Sequence, residues 1–366
     1  MNNENWEQSY LKAGERLVLL PTESISIHYE LSEEYKVKLH SVLHLLQHAA
    51  VGTSSHQQAL TTLDRALEIL DRVEELPNTK PYTQKSTLAI PLAQWEIEDY
   101  DNYFDVQHLQ TERPAKCLLR SAIVTYRIFV SFQFCPQAIA KIDPLLIWKR
   151  FHWLFFVFIQ GTIVSLLRFE NNIESDNINQ AGIELETIAD LMYGSGVAMK
   201  WAGKFNQEAY QNQVRPSMVP PQVSSSKFSG LMSCDHAYLV ALWKRNNTHM
   251  KTLPDSLQNQ HEKLICAYEF LVGSHTAICE KFGGGEAGSL RSQGNTAVDI
   301  LTKIARARRQ PIDPKRRSTV KCLHHQNESE KPIRIGVKSY ADLLYRVIDV
   351  PAVIKSFRPI RGGYAR

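Results

Sequence analysis

His275 has the setting with the clearest chemical consequence. In HEKLICAYEFLVGSHTAICEKF (261–282), Leu264, Tyr268, Leu271, His275, Ile278 and Phe282 follow one another at steps of four and three. On a helix these positions make one apolar stripe with an imidazole in its middle. A polar ring held there is costly unless its nitrogens are satisfied. Two arrangements satisfy it: a hydrogen-bonded core histidine, or a metal ligand whose other nitrogen is held by a further partner.

Other chemistry-bearing residues are less constrained. His40, His44 and His48 fall at i, i+4 and i+8 of one helix face. Histidines at that spacing can chelate zinc, but no carboxylate or cysteine accompanies them at ligand spacing, and a solvated polar border accounts for them. Cys322 with His324 and His325 matches no metal-ligand spacing. GGGEAG (283–288) lacks the Lys-Ser/Thr of a phosphate loop and follows no strand. Lys303, Arg306, Arg308, Arg309, Lys315, Arg316, Arg317 and Lys321 stand against Asp313 alone. This is an electrostatic footprint for an anionic partner. It has no interleaved aromatic residue and no nucleic-acid recognition fold.

The elements that must position these residues read as helices. Residues 34–76 keep apolar 3/4 spacing on either side of VGTSSHQQ, where Thr53, Ser54 and Ser55 are candidate caps. Residues 77–91 read as a proline-containing loop, and the acidic, aromatic run WEIEDYDNYFD (95–105) has no clear place. CLLRSAIVTYRIFVSFQF follows Pro114, and Asp143-Pro144 opens a helix over 145–169. Helical periodicity returns at 182–205, 239–243 and 261–282, and again in TAVDILTKIARARR after the Gly-rich stretch 282–295. Residues 211–233 and the basic stretch 310–330 read as loops. Strand signals are scarce.

Phe151–Leu167 is 17 residues of mostly apolar sequence flanked by Lys149, Arg150 and Arg168, at the short end of membrane-spanning lengths. His152, Gln160 and Thr162 interrupt it, so a buried core helix is expected and no membrane span. The N-terminus has no apolar signal region. Apolar residues make up 43% and charged residues 22%, with a net charge of +4. That composition excludes a disordered or fibrous chain. Six cysteines without a CxxC pair fit reduced thiols in a cytoplasmic protein.

The order SHxxIxxKF, Gly-rich loop, then Ser292-Gln293-Gly294-Asn295-Thr296 and a helix resembles the C-terminal half of the indoleamine/tryptophan 2,3-dioxygenase superfamily of haem proteins. Upstream, Tyr210-Gln211-Asn212-Gln213-Val214-Arg215-Pro216 resembles its aromatic-x-x-x-x-Arg element, most nearly in the monodechloroaminopyrrolnitrin synthase branch. Val223–Gly230 falls where the family has a small-residue distal loop. The resemblance spans about residues 145–309. Gln211, the serine run 224–226 and SQGNT depart from the family's pattern on the substrate side.

The resemblance implies an all-α fold: a smaller N-terminal helical region (1–114) and a helical haem and substrate domain (115–366). It implies haem b as cofactor and His275 as axial iron ligand. Tyr210, Arg215, Ser225, Ser226, Phe228, Asn295 and Thr296 would bind substrate, with Arg215 clamping its carboxylate. Ser229 and Gly230 would lie against the porphyrin, and His152 would face the oxygen; a satisfied core histidine is the other reading of His152. The implied function is a haem-dependent oxygenase using dioxygen on an aromatic amino acid or indole-type substrate, in specialised metabolism. The alternative is a non-catalytic helical protein binding an anionic partner through 303–321. A homodimer is among the assemblies the sequence allows.

Overall fold

The computed structural model describes residues 33–52, 55–72, 116–134, 142–218, 234–283, 288–289, 292–315 and 331–348. The fold is all-α apart from one short ribbon. Its helices are α1 (Glu33–Val51), α2 (His56–Asp71), α3 (Lys116–Phe134), α4 (Pro144–Glu174) and α5 (Ile178–Ala202), followed by α6 (Cys234–Arg245), α7 (Asn247–Lys251), α8 (Gln258–Lys281), α9 (Ala297–Ile312) and α10 (Lys331–Ile348). Strands β1 (Gly288–Ser289) and β2 (Ser292–Thr296) pair antiparallel within the stretch read as a Gly-rich loop.

Local chemistry sets several boundaries. Ser55 caps α2, its hydroxyl accepting from the Gln58 amide, as the break at VGTSSHQQ suggests. Asp143 accepts from the Leu145 amide and Pro144 occupies the first turn of α4, where the missing N–H costs nothing. Thr296 and Asp299 close a capping box at the start of α9.

α5 is the centre. It packs most extensively against α4, α8 and α10, and buried residues occur on every side of it. α4 is long and apolar enough to cross a membrane, yet 82% of its most apolar window is buried inside the protein, as a central helix requires. One continuous apolar core runs from α1 and α2 through α3, α4 and α5 to α10. The regions on either side of residue 114 therefore share their interior. α10 joins them: the Tyr345 hydroxyl donates to the His40 carbonyl at 2.7 Å, and Gln47 donates to Asp342. His40 stacks on Tyr345 at 5.1 Å, while His44 and His48 are exposed.

The α5–α10 crossing depends on two glycines. A Cβ on Gly194 would lie 2.8 Å from the Phe158 ring and 3.2 Å from the Gly336 Cα. Gly194→Ala is therefore expected to destabilise the protein by about 1–3 kcal/mol, the usual cost of overpacking. Chemical denaturation measures this, and an unchanged midpoint would show that the crossing has slack.

Candidate functional site

α8 turns its predicted stripe inward. Leu264 is fully buried, Tyr268, Ile278 and Phe282 nearly so, and Leu271 and His275 are half-buried because they line a cavity. The cavity, of about 100 Å³, lies among α4, α5, α6, α8 and α9. Its wall is mostly aliphatic and aromatic, including Phe155, Trp243 and Leu301. Thr162 and Ser195 also line it, but their hydroxyls donate back to the Phe158 and Leu191 carbonyls. Three further side chains bring chemistry: His275 from α8, His236 from α6 and Arg308 from α9.

No described residue makes a hydrogen bond to the His275 ring. Burial, and secondarily the Arg308 charge, push its pKa down to about 4, so the ring is neutral near neutral pH with a lone pair available. His236 is engaged: Arg308 NH1 donates to its Nε2 at 2.7 Å. That nitrogen therefore carries no proton. α9 is fastened to α8 on both sides of Arg308. The Tyr268 hydroxyl donates to the Ala305 carbonyl at 2.7 Å, and His261 Nε2–H to the Ile312 carbonyl at 2.7 Å.

His152 is buried in α4 and absent from the described cavity wall. Its Nδ1–H donates to the Trp148 carbonyl at 2.8 Å and its ring lies 3.9 Å from the Trp148 ring. Burial pushes its pKa down to about 4, with the His275 charge a smaller contribution. In the unfolded chain both histidines titrate near 6.5, so between about pH 6.5 and 4 the unfolded state binds more protons. The stability of the cofactor-free protein is expected to be level above pH 6.5 and to fall as the pH drops towards 4. Denaturation midpoints across that range measure the slope, which His152→Phe should flatten; a pH-independent midpoint would refute it.

Tyr210 and Arg215 come together, but beside the cavity. Tyr210 begins a π-helical turn, Tyr210–Val214, a distortion frequent at functional sites. Its ring stacks on Phe282 at 4.3 Å, and the nearby Arg215 charge opposes the upward push of burial on the phenol's pKa. The cluster is continuous with Phe155 and Leu271 of the cavity wall. Thr296 is occupied as the cap of α9, and Asn295 lies in β2. Ser225, Ser226, Phe228, Ser229, Gly230, Cys322, His324 and His325 lie outside the described residues.

Of the small residues flanking His275, Thr276 lines the cavity and the Ser274 hydroxyl bonds to the Phe270 carbonyl. Gly273 and Ala277 are exposed on the outer face. Cys279, one turn beyond His275, is a free thiol that burial pushes up to about 11. Cys266 is disulfide-bonded, which corrects the expectation of wholly reduced thiols. The basic segment is divided: Arg308 enters the cavity wall, and Arg309 pairs with Glu269 and Asp313. A separate set, Glu170, Glu174 and His249, lies within ligand distance. There Arg245 grips both oxygens of Glu170, which makes the set an ion-pair network.

Sequence reasoning does not single out His236 and Arg308 as site residues. Yet His236, Leu239, Val240 and Trp243 all line the cavity, at the same helical spacing that marks His275.

The donor set is compatible with a haem: the neutral imidazole of His275 in an apolar wall could hold an iron, and Arg308 in the same wall is a cation with which a carboxylate side chain could pair. The volume lies below the ~300–1,000 Å³ of ordinary small-molecule sites, so seating a tetrapyrrole requires wall side chains to move.

A family model described as SfmD 3-methyl-L-tyrosine peroxygenase matches residues 135–260. That span includes His152, Tyr210, Arg215 and His236 and stops ahead of His275. A 3-methyl-L-tyrosine peroxygenase from Streptomyces lavendulae is 28% identical over 169 residues, 45% of this chain and 46% of the relative. The chain thus spans about half the length of the curated relative it matches. No solved structure matches it. The similarity is to a peroxygenase of an aromatic amino acid, and it singles out no branch of the dioxygenase-like superfamily.

Proposed function

We propose that this protein is a haem-dependent oxygenase that transfers one oxygen atom from a peroxide to the ring of an aromatic amino acid of the tyrosine type. The observation that carries the reading is the neutral, lone-pair-bearing His275 ring in the wall of an apolar cavity. Similarity to a 3-methyl-L-tyrosine peroxygenase supports the substrate class and the oxidant; hydrogen peroxide takes the place of the dioxygen implied by the superfamily resemblance. The balance is simple: the arene and hydrogen peroxide give the phenol and water.

His275 would hold the iron, and the bound haem would supply the oxygen-transfer chemistry. The chain's own contributions are distinct. The apolar wall excludes water from a reactive oxidant. His236 lines the same space, its Nε2 accepting from Arg308. His152 is kept neutral by burial, its Nδ1–H resting on the Trp148 carbonyl.

The test is direct. The protein expressed with haem supplied should show a Soret band. With hydrogen peroxide it should convert 3-methyl-L-tyrosine or L-tyrosine to a product heavier by one oxygen. A protein that takes up no haem, or a loaded protein that oxidises neither amino acid, overturns the reading.

A further inference from the structure

We propose that the first half of α9, residues 297–306, is a door on the His275 cavity: it swings on a hinge at Ala307–Pro311 and is latched by the bond from the Tyr268 hydroxyl to the Ala305 carbonyl.

The ties between α9 and its neighbours are one-sided. Arg308 donates to His236 of α6 at 2.7 Å, Arg309 pairs with Glu269 of α8 at 2.7 Å, and the Ile312 carbonyl accepts from His261 of α8. All three lie past Ala307. Before it, the Thr296–Asp299 capping box and the Thr302 hydroxyl on the Val298 carbonyl are bonds of the helix to itself. Among the described residues, one polar bond joins residues 297–306 to another helix: Tyr268 to Ala305, at 2.7 Å. Burial follows the same gradient. The buried residues of α9 are Pro311 and Ile312, whereas Leu301, Ile304 and Ala305 face the cavity and are only half-buried.

The hinge has a covalent cause. Pro311 lies inside α9 and has no N–H to donate to the Ala307 carbonyl, so the helical ladder lacks a bond there. The turn beyond it is pinned. His261 occupies the Ile312 carbonyl, one of the last four that a helix leaves without internal partners, and Asp313 is buried.

The cavity needs such an element. Its volume of about 100 Å³ is below the ~300–1,000 Å³ of ordinary small-molecule sites, so a larger ligand enters only where a wall gives way. α4, α5 and α8 pack extensively on one another and would expose core on moving. The first half of α9 would expose side chains that are already half in the open. Lids are drawn from segments of this kind, with few buried contacts and low local stability.

The test reads the door without a ligand. Nitroxides are attached to the full, cofactor-free chain through keto amino acids at Lys303, exposed on the first half of α9, and at Gly273, exposed on α8. A second pair joins Gly273 to the exposed Gln310 on the pinned half. Pulsed electron resonance should give two separations for 303–273, the longer one minor, and a single separation for 310–273. Tyr268→Phe keeps the ring in the wall and should raise the longer fraction about fivefold, the effect of one lost hydrogen bond. Pro311→Ala restores the missing donor and should lower that fraction, which a merely destabilising change would not do.

Entry is then followed with iron protoporphyrin IX as probe, a choice that rests on the function proposed above, through quenching of tryptophan fluorescence, since Trp243 lines the cavity. The uptake rate should level off with porphyrin concentration, at a ceiling that Tyr268→Phe raises. A single 303–273 separation in all three proteins overturns the door. A longer fraction unchanged in Tyr268→Phe overturns the latch, and two separations for 310–273 overturn the hinge. An uptake rate without a ceiling and equal in both proteins shows that the porphyrin enters elsewhere and removes the gating role. If no porphyrin binds, the haem reading fails, and the separations alone decide whether the door exists.

Discussion

A His275→Leu variant is expected to fold at least as well as the wild type while losing haem uptake and peroxide-dependent oxygenation together. The first half follows from what the ring does without a cofactor. No described residue bonds to it, and burial makes its charged form unfavourable. A polar ring in that position costs on the order of 1–3 kcal/mol, so leucine removes a penalty rather than a bond. The second half follows from the proposed function, since the variant lacks the nitrogen that would hold the iron. Loss of even an outer partner of a metal ligand typically costs ~10–100-fold, and loss of the ligand should cost at least as much. His275→Gly with added imidazole should recover the Soret band by refilling the vacated position. A structural core histidine behaves in the opposite way: leucine destabilises the chain, and any bound haem keeps its wild-type spectrum. That pair of results would remove His275 from the site.

The periodicity that points to His275 is legible because α8 is long and its stripe spans nearly its whole length. His236 follows the same rule on the shorter α6, where 236, 239, 240 and 243 all face the cavity. The apolar run by which that helix is recognised in the sequence starts only at Leu239, which leaves the histidine outside it. α10 is not legible in the basic and polar surroundings of its sequence, although Ile333, Val337, Tyr340, Ala341 and Leu344 are spaced for a helix and buried. Arg334, Lys338 and Arg346 between them give the segment the character of a continued basic stretch. It is nevertheless the element that joins the first helices to α5.

Other features depend on rotation and tertiary placement, which local spacing does not carry. Arg308 and Arg309 are neighbours in a basic run, and about 100° of helical turn separates them. One reaches the cavity and the other an outer ion pair. Tyr210 and Arg215 stand at either end of one π turn, near enough for the Arg215 charge to act on the phenol. Their position beside the cavity wall depends on how the π turn sits against Phe282, a contact between segments distant in the chain.

Glu184→Ala is expected to destabilise the protein by about 3–5 kcal/mol, the usual cost of removing one member of a buried ionic cluster. Glu184 is fully buried on α5. It accepts from the Ser165 hydroxyl at 2.6 Å and Arg168 Nε at 3.1 Å on α4, from Gln180 Nε2 at 3.0 Å on its own helix, and from Arg346 NH2 at 3.2 Å on α10. One carboxylate thus connects the three central helices. Without it, two largely buried guanidiniums and a buried hydroxyl lose their common acceptor. Thr187 remains as a partner for Arg346 at 3.1 Å, but it carries no charge to balance the cation. Glu184→Gln should cost less, since the amide oxygen still accepts. In the double variant Glu184→Ala/Arg346→Met the combined loss should be smaller than the sum of the single losses, because the second change removes a cation left without its acceptor. Urea denaturation gives these values, and amide exchange should rise first along α10. If Glu184→Ala costs under about 1 kcal/mol, as an exposed ion pair would, or if the two changes add, the cluster does not clamp these helices and the α5–α10 contact rests instead on apolar packing around Gly194 and Gly336 and on the bond from the Ser339 hydroxyl to Asp190.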